Sequence, residues 1–242
     1  MPARNLEVCL TPAVFNRFDH KEAVVVIIDV LRASSAICTA FANGAVSIIP
    51  VSEVSEALEY KKKGFMVAAE RDGFVLDFAD LGNSPFNFTR DKVEGKTIVY
   101  STTNGTRIIE LASASFSSAI GTFNNLSAVM RWVLKQDHDA ILFCAGWKDK
   151  FNLEDTICAG AMADILMSSG NYNTICDSTF ASIDLWKIAS TDPLKYIQKA
   201  AQRSRLRDKG LDDCIEYCMS IDVNQSVPVV MNGHLRDISR FI

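Results

Sequence analysis

Residues 24–28 read Val-Val-Val-Ile-Ile and run straight into Asp29. Five β-branched apolar residues with no polar alternation predict a strand buried on both faces. Such a strand needs a layer above it and a layer below it. The rest of the chain supplies them. Residues 33–44 read as a helix stopped by Asn43-Gly44. Residues 46–51 read as a strand, and 54–63 as a helix with Ser52 as its N-cap and Gly64 closing it. Strand patterns recur at 65–70, 96–102, 115–122 and 139–146, with helical patterns at 104–113, 124–136 and 153–170. Apolar strands alternating with amphipathic helices predict an α/β protein, a layered α/β/α arrangement around a mostly parallel or mixed sheet.

The pattern changes near residue 173, where the chain becomes more helical and more polar. Two late strand patterns flank Asn232-Gly233, a pair suited to a type I′ hairpin. Residues 71–88 contain Gly73, Gly82 and Pro85 with no clear period, so they read as a loop. There is no low-complexity linker and no internal repeat. The expectation is a single domain over residues 1–242, with room for two intimate sub-domains.

Composition removes several function classes. The net charge is -4, which disfavours a nucleic-acid surface. The one basic run, residues 202–210, reads as a solvated helix face. The seven cysteines contain no CxxC pair and sit among apolar neighbours, as expected of a reduced, cytoplasmic protein. No secretory leader is evident at the N-terminus and no apolar run reaches the length of a membrane span, so no membrane partner is expected. The three histidines are not paired at metal-ligand spacing. Self-association into a homo-oligomer is allowed by the sequence.

In open α/β sheets, ligands gather beyond the carboxyl ends of the strands. The predicted strands are followed by Asp29 with Arg32, Ser34 and Ser35; by Glu70-Arg71-Asp72-Gly73 and then Asn83-Ser84; by the run Ser101 to Thr106; and by Cys144 and Gly146 with Glu154 and Asp155 a little further on. Carboxylates, arginines, small hydroxyls and glycine-opened backbone are the mixture that holds a metal ion beside an anion. Each has a plainer use. Asp29 can cap a helix, residues 101–106 can form a turn, and Asn152 to Asp155 can form a capping box. The chain has no phosphate-binding P-loop, no GxGxxG after a strand and no GxSxG elbow.

The segments DVLRASSAICTAFANGA, IIPV, AERDG, LGNSP, TTNGT, CAG and LEDTICAG, in this order over about residues 23 to 165, together resemble the 2-phosphosulfolactate phosphatases of coenzyme M biosynthesis. The resemblance implies a magnesium-dependent phosphatase with an α/β fold of its own, converting 2-phosphosulfolactate to 3-sulfolactate and phosphate. Its partner would be a small phosphate ester carrying further acidic groups. Asp29, Arg32, Glu70, Asn83, Ser84, Asn104, Thr106, Cys144, Gly146, Glu154 and Asp155 match the family's segments; Ala69 stands where the family usually has Gly. On that footing Asp29, Glu70, Asp155 and Glu154 are the expected Mg2+ ligands. Arg32, Ser34, Asn83, Ser84, Asn104, Thr106 and Gly146 are expected to bind substrate. The catalytic set is Asp29, Arg32, Glu70 and Cys144, with Asp29 either ligand or nucleophile and Cys144 a lesser candidate for covalent attack. A magnesium-dependent hydrolase of another acidic ester and a non-catalytic anion-binding protein stand as the alternatives.

Overall fold

The computed structural model describes residues 3–241, without the side chain of Arg240. The strands are β1 (Arg4–Cys9), β2 (Val24–Ile28), β3 (Ser47–Pro50), β4 (Met66–Arg71), β5 (Phe74–Val75), β6 (Thr97–Ser101), β7 (Ser117–Gly121), β8 (Ala140–Cys144), β9 (Tyr172–Asn173), β10 (Pro228–Met231) and β11 (His234–Asp237). The helices are α1 (Ala33–Ala42), α2 (Val54–Lys62), α3 (Arg90–Val93), α4 (Gly105–Leu111), α5 (Leu126–Leu134), α6 (Leu153–Ser168), α7 (Asp177–Ala189), α8 (Pro193–Tyr196), α9 (Ala201–Asp208) and α10 (Ile215–Met219).

One sheet orders the strands β5-β4-β6-β3-β11-β10-β7-β2-β8-β1-β9. The run at 24–28 lies inside it, parallel to both β7 and β8. Its side chains alternate between two separate cores. Val24, Val26 and Ile28 pack with α5, α6, α7 and α10 on one face. Val25 and Ile27 pack with α1 and α4 on the other. An unbroken apolar run is what burial on both faces requires, and the mixed α/β architecture expected from the alternation is the one present.

The parallel strands fall into two blocks, β4-β6-β3 and β7-β2-β8-β1-β9, joined by the late hairpin β10-β11. Asn232 and Gly233 have φ of 52° and 77°, the left-handed pair a type I′ turn needs. β10 is antiparallel to β7, and β11 is antiparallel to β3. The two blocks therefore run in opposite directions along the ladder, so their carboxyl ends do not share one edge of a flat sheet. Sheet twist is roughly 20–25° per neighbouring pair. Over the six steps from β2 to β4 it accumulates to on the order of 130°. Set against the reversal, that leaves the two sets of strands within roughly 50° of a common direction, so both sets of carboxyl ends open to one side.

Local expectations fared unevenly. Residue 53, not Ser52, is the N-cap of α2, and the Ser52 hydroxyl donates instead to Glu110 at 2.8 Å. β1, β5 and β9 were not anticipated. Residues 71–88 are mainly loop, as expected, opened by the two-residue strand β5 folding back on β4. No helix among the described residues is long and apolar enough to cross a membrane.

Candidate active site

β2 carries Asp29 to its carboxyl end, and α1 starts four residues later. The Asp29 carbonyl accepts from Ser34 N–H at 2.8 Å, Asp29 N–H donates to the Ser34 hydroxyl at 2.9 Å, and Asp29 Oδ1 accepts from Ala33 N–H at 3.4 Å. Asp29 Oδ2 accepts no hydrogen bond from a described residue. The second helix at this point, α4, begins against the first: a Cβ added at Gly105 would lie 2.6 Å from Ala33 Cβ and 3.5 Å from Asp29 Oδ2. Glycine at 105 is what lets two helix N-termini meet beside one carboxylate.

A small cleft opens here. Asp29, Arg32, Glu70, Asn83, Asn104 and Gly146 line it. Six of the expected site residues, drawn from both sheet blocks, are thus brought together. Glu70, the penultimate residue of β4, is buried, with both carboxylate oxygens engaged. Oε1 accepts from Thr103 N–H at 2.7 Å; Oε2 accepts from Gly73 N–H at 2.5 Å and from the Thr103 hydroxyl at 3.3 Å. Glu70 therefore ties the loops after β4 and β6 together. Asn83 Oδ1 accepts from the buried Tyr100 hydroxyl. Asn104 Nδ2 donates to the Gly146 carbonyl at 3.4 Å. Gly146 has φ of 58°, and a Cβ there would lie 2.2 Å from the Lys150 carbonyl oxygen, so no other residue fits the turn.

Asp155 is buried behind Asp29. Its Oδ1 accepts from Val30 N–H at 2.8 Å, and its Oδ2 from Gly146 N–H at 3.2 Å and Asn152 Nδ2 at 2.8 Å. This replaces the capping box expected at α6: the carboxylate of Asp155 stitches the ends of β2 and β8 rather than its own helix. Glu154 Oε1 accepts from Asn152 Nδ2 at 3.1 Å, and its Oε2 is buried without a partner. Burial pushes the Asp29 carboxyl up to about 8, with Asp155 and then Glu70 adding repulsion and Arg32 opposing it. Burial, then Glu154, raises Asp155 to about 8. Burial is also the main cause that lifts Glu154 to about 7. Three carboxylates that resist ionisation together form a place where a cation relieves repulsion.

Four expected residues stand elsewhere. Ser34 supports the β2–α1 turn from within the protein, donating to the Ile27 carbonyl at 3.3 Å. Thr106 donates to the Thr102 carbonyl at 3.1 Å along α4 and does not reach the cleft. Ser84 is buried outside it. Cys144 is fully buried, and burial holds its thiol well above its ordinary value. A protonated thiol with no opening to the cleft is not a nucleophile. The four expected metal ligands do not converge either: no cluster of three or more His, Cys, Asp or Glu able to hold an ion occurs among the described residues. Glu70 and Asp155 are turned to backbone N–H groups instead. The cleft lining also holds Asp29, whose Oδ2 accepts no hydrogen bond from a described residue, and Thr102 and Asn152, whose Oγ1 and Oδ1 are buried without a partner. One or two carboxylates with neutral oxygens and water is a donor set that suits a magnesium-sized ion.

The basic run at 202–210 is the main feature the sequence did not reveal as functional. It forms α9, and Gln202, Arg205, Leu206 and Lys209 form one wall of the cleft. Gln202 Nε2 donates to the Leu31 carbonyl at 3.2 Å, and Arg32 Nη1 to the Leu211 carbonyl at 3.3 Å, pinning α9 to the β2–α1 turn. The available signal was the spacing of Gln202, Leu206 and Lys209 on one helical face, which marks a packed rather than a solvated stripe.

The family model of 2-phosphosulpholactate phosphatase matches residues 9–233. The chain belongs to that family. It is similar to proteins named as probable 2-phosphosulfolactate phosphatases in several bacteria. Identity is 37% over 230 residues with that of Caldanaerobacter subterraneus, covering 93% of this chain and 95% of the relative. It is 39% over 209 residues with that of Thermotoga maritima, covering 86% and 89%. It is 32% over 218 residues with that of Clostridium acetobutylicum, covering 89% and 92%. The family match includes α9, so the wall built from the C-terminal third lies within the 2-phosphosulpholactate phosphatase region, beyond the segments that carried the resemblance.

Proposed function

We propose that this protein is a magnesium-dependent phosphatase that hydrolyses 2-phosphosulfolactate to 3-sulfolactate and phosphate. The observation that carries the reading is the meeting of a buried carboxyl, Asp29, and a buried guanidinium, Arg32, in one cleft of a chain from this family. Asp29, with Thr102 and Asn152, would hold Mg2+; the ion supplies Lewis acidity and offsets charge on the phosphoryl oxygens. Arg32 presents a planar fork to the phosphoryl group and stabilises charge as the bond to the leaving oxygen lengthens. The P–O bond to the ester oxygen breaks, water oxygen bonds to phosphorus, and a water proton ends on the leaving oxygen. Asp155 and Glu70 act on position: one holds the β2–α1 turn, the other the loops across the cleft. A protein that only binds small anions would gain nothing from the carboxylates of Asp29 and Glu70 in the lining of its anion site.

Phosphate release from 2-phosphosulfolactate, measured on metal-stripped protein and then with added Mg2+, tests this. Activity should appear with the ion and vanish with excess EDTA. Full turnover by stripped protein would overturn the metal dependence, and turnover of other acidic esters but not this one would overturn the substrate.

A further inference from the structure

Resting on the proposed function, we infer that Arg205 and Lys209 form the subsite for the acid of the substrate that does not react, a sulfonate or carboxylate on the alkyl side of the phosphate ester. The cleft has three cations, Arg32, Arg205 and Lys209, and none makes a salt bridge with a described residue. Cations held in a cleft without an ion-pair partner attract an anion, even with Glu154 acting on Arg205 and Asp29 on Arg32 from nearby. The three cations divide by position. Arg32 stands at the β2–α1 turn beside Asp29, where the phosphoryl group belongs. Arg205 lies in α9 and Lys209, four residues on, is its C-cap, so the two share a face one turn apart.

Arg205 is built for an oxyanion. Its Nε donates to Gln202 Oε1 at 2.8 Å, and its guanidinium lies over the Trp147 ring, 4.9 Å from the centroid. With Nε tethered and one face stacked, the two terminal nitrogens form an oriented edge with no partner among the described residues. That edge matches two oxygens of a sulfonate or carboxylate. Lys209 is held by the Asp72 carbonyl and lies over Phe74, 5.3 Å from the ring centroid. The Asp72 carboxylate is taken by Lys148 at 3.1 Å, so it leaves the Lys209 charge unmatched. A phosphate ester bearing a second acid can engage Arg32 at one end and α9 at the other; an ester without one cannot.

The test compares wild type with Arg205→Gln on 2-phosphosulfolactate, 2-phospholactate and isopropyl phosphate, and measures binding of 3-sulfolactate by calorimetry. The loss of kcat/KM on 2-phosphosulfolactate should exceed that on isopropyl phosphate by on the order of 100-fold, with Arg205→Lys recovering part of it and 3-sulfolactate binding lost. A matching loss on 2-phospholactate assigns the carboxylate to the subsite; a spared 2-phospholactate assigns the sulfonate. Equal losses on 2-phosphosulfolactate and isopropyl phosphate overturn the proposal. If wild type hydrolyses no ester, the phosphatase reading falls, and calorimetry still decides the subsite: 3-sulfolactate bound by wild type and lost in the variant supports it, and equal binding or none overturns it. Should Arg205→Gln melt early, Lys209→Met replaces it with the same outcomes.

Discussion

At the scale of single residues, Asp29 and Cys144 make opposite predictions although both end apolar strands. Asp29 faces the cleft with a carboxyl that resists ionisation. Asp29→Asn should lower kcat by on the order of 100-fold or more, and at pH 8 the metal-free variant should melt at or above the wild-type temperature because a repelling charge has gone. Kinetics and thermal melting on one preparation check this; an active variant removes Asp29 from the chemistry. Cys144 is packed against the cores of β2 and α6 and has no path to the cleft. Cys144→Ala should cost about 1 kcal/mol of stability through the small cavity it leaves and keep kcat/KM per folded molecule. Loss of turnover without loss of stability would reinstate the thiol.

At the scale of elements, Glu70 joins β4, the turn at Gly73 and the loop after β6. Its two oxygens accept from two backbone N–H groups. Glu70→Gln offers one oxygen and one NH2, so one of the N–H groups loses its acceptor inside the protein. The expected cost is about 1–3 kcal/mol, with activity falling because Asn104 and the loop after β6 lose their anchor. Denaturant melts and kinetics at several Mg2+ concentrations separate the roles. A stable variant whose only change is a higher Mg2+ requirement would make Glu70 a ligand rather than a tie between loops.

At the scale of the whole molecule, three raised carboxyls and one hairpin set the behaviour. Asp29, Asp155 and Glu154 are lifted from 3.8, 3.8 and 4.5 to about 8, 8 and 7. Between about pH 4 and 8 the folded protein holds protons the unfolded chain has lost. Metal-free stability therefore falls as pH rises through that window, by up to about 1.4 kcal/mol per pH unit for each proton of difference. Below the window both states are protonated, and above it the full penalty remains. The melting temperature of stripped protein should drop from pH 5 to pH 8, less so in Asp29→Asn, and Mg2+ should recover it at pH 8. A flat profile would mean that the carboxyls ionise freely. The hairpin β10-β11 is the seam between the two sheet blocks. Deleting residues 226–241 should abolish cooperative unfolding, because Ile48 and Ala119 lose their strand partners at once.

The alternation of strand and helix, and the burial of residues 24–28 on both faces, were legible because periodicity is a local property of the chain. So were the Asn232-Gly233 turn, which rests on φ > 0 at two residues, and the placing of Asp29 and Arg32 at a strand-to-helix junction. The convergence of Asp29 with Glu70 was expected for a simpler reason than the one that operates: opposed blocks are brought together by accumulated twist, which no local pattern encodes. Residue type also could not separate Cys144 and Thr106, turned into the protein, from Asn104 and Gly146, which line the cleft, because a strand end or helix start points its side chains according to the packing around it. α9 is the plainest case. Its sequence is that of a polar surface helix, and only the docking of Gln202 onto Leu31 and of Arg205 onto Trp147 makes it a wall of the site. Local sequence determined which elements form and which residues sit at their ends; tertiary structure decided which of those ends face one another, because contacts between distant segments depend on the twist and closure of the entire sheet.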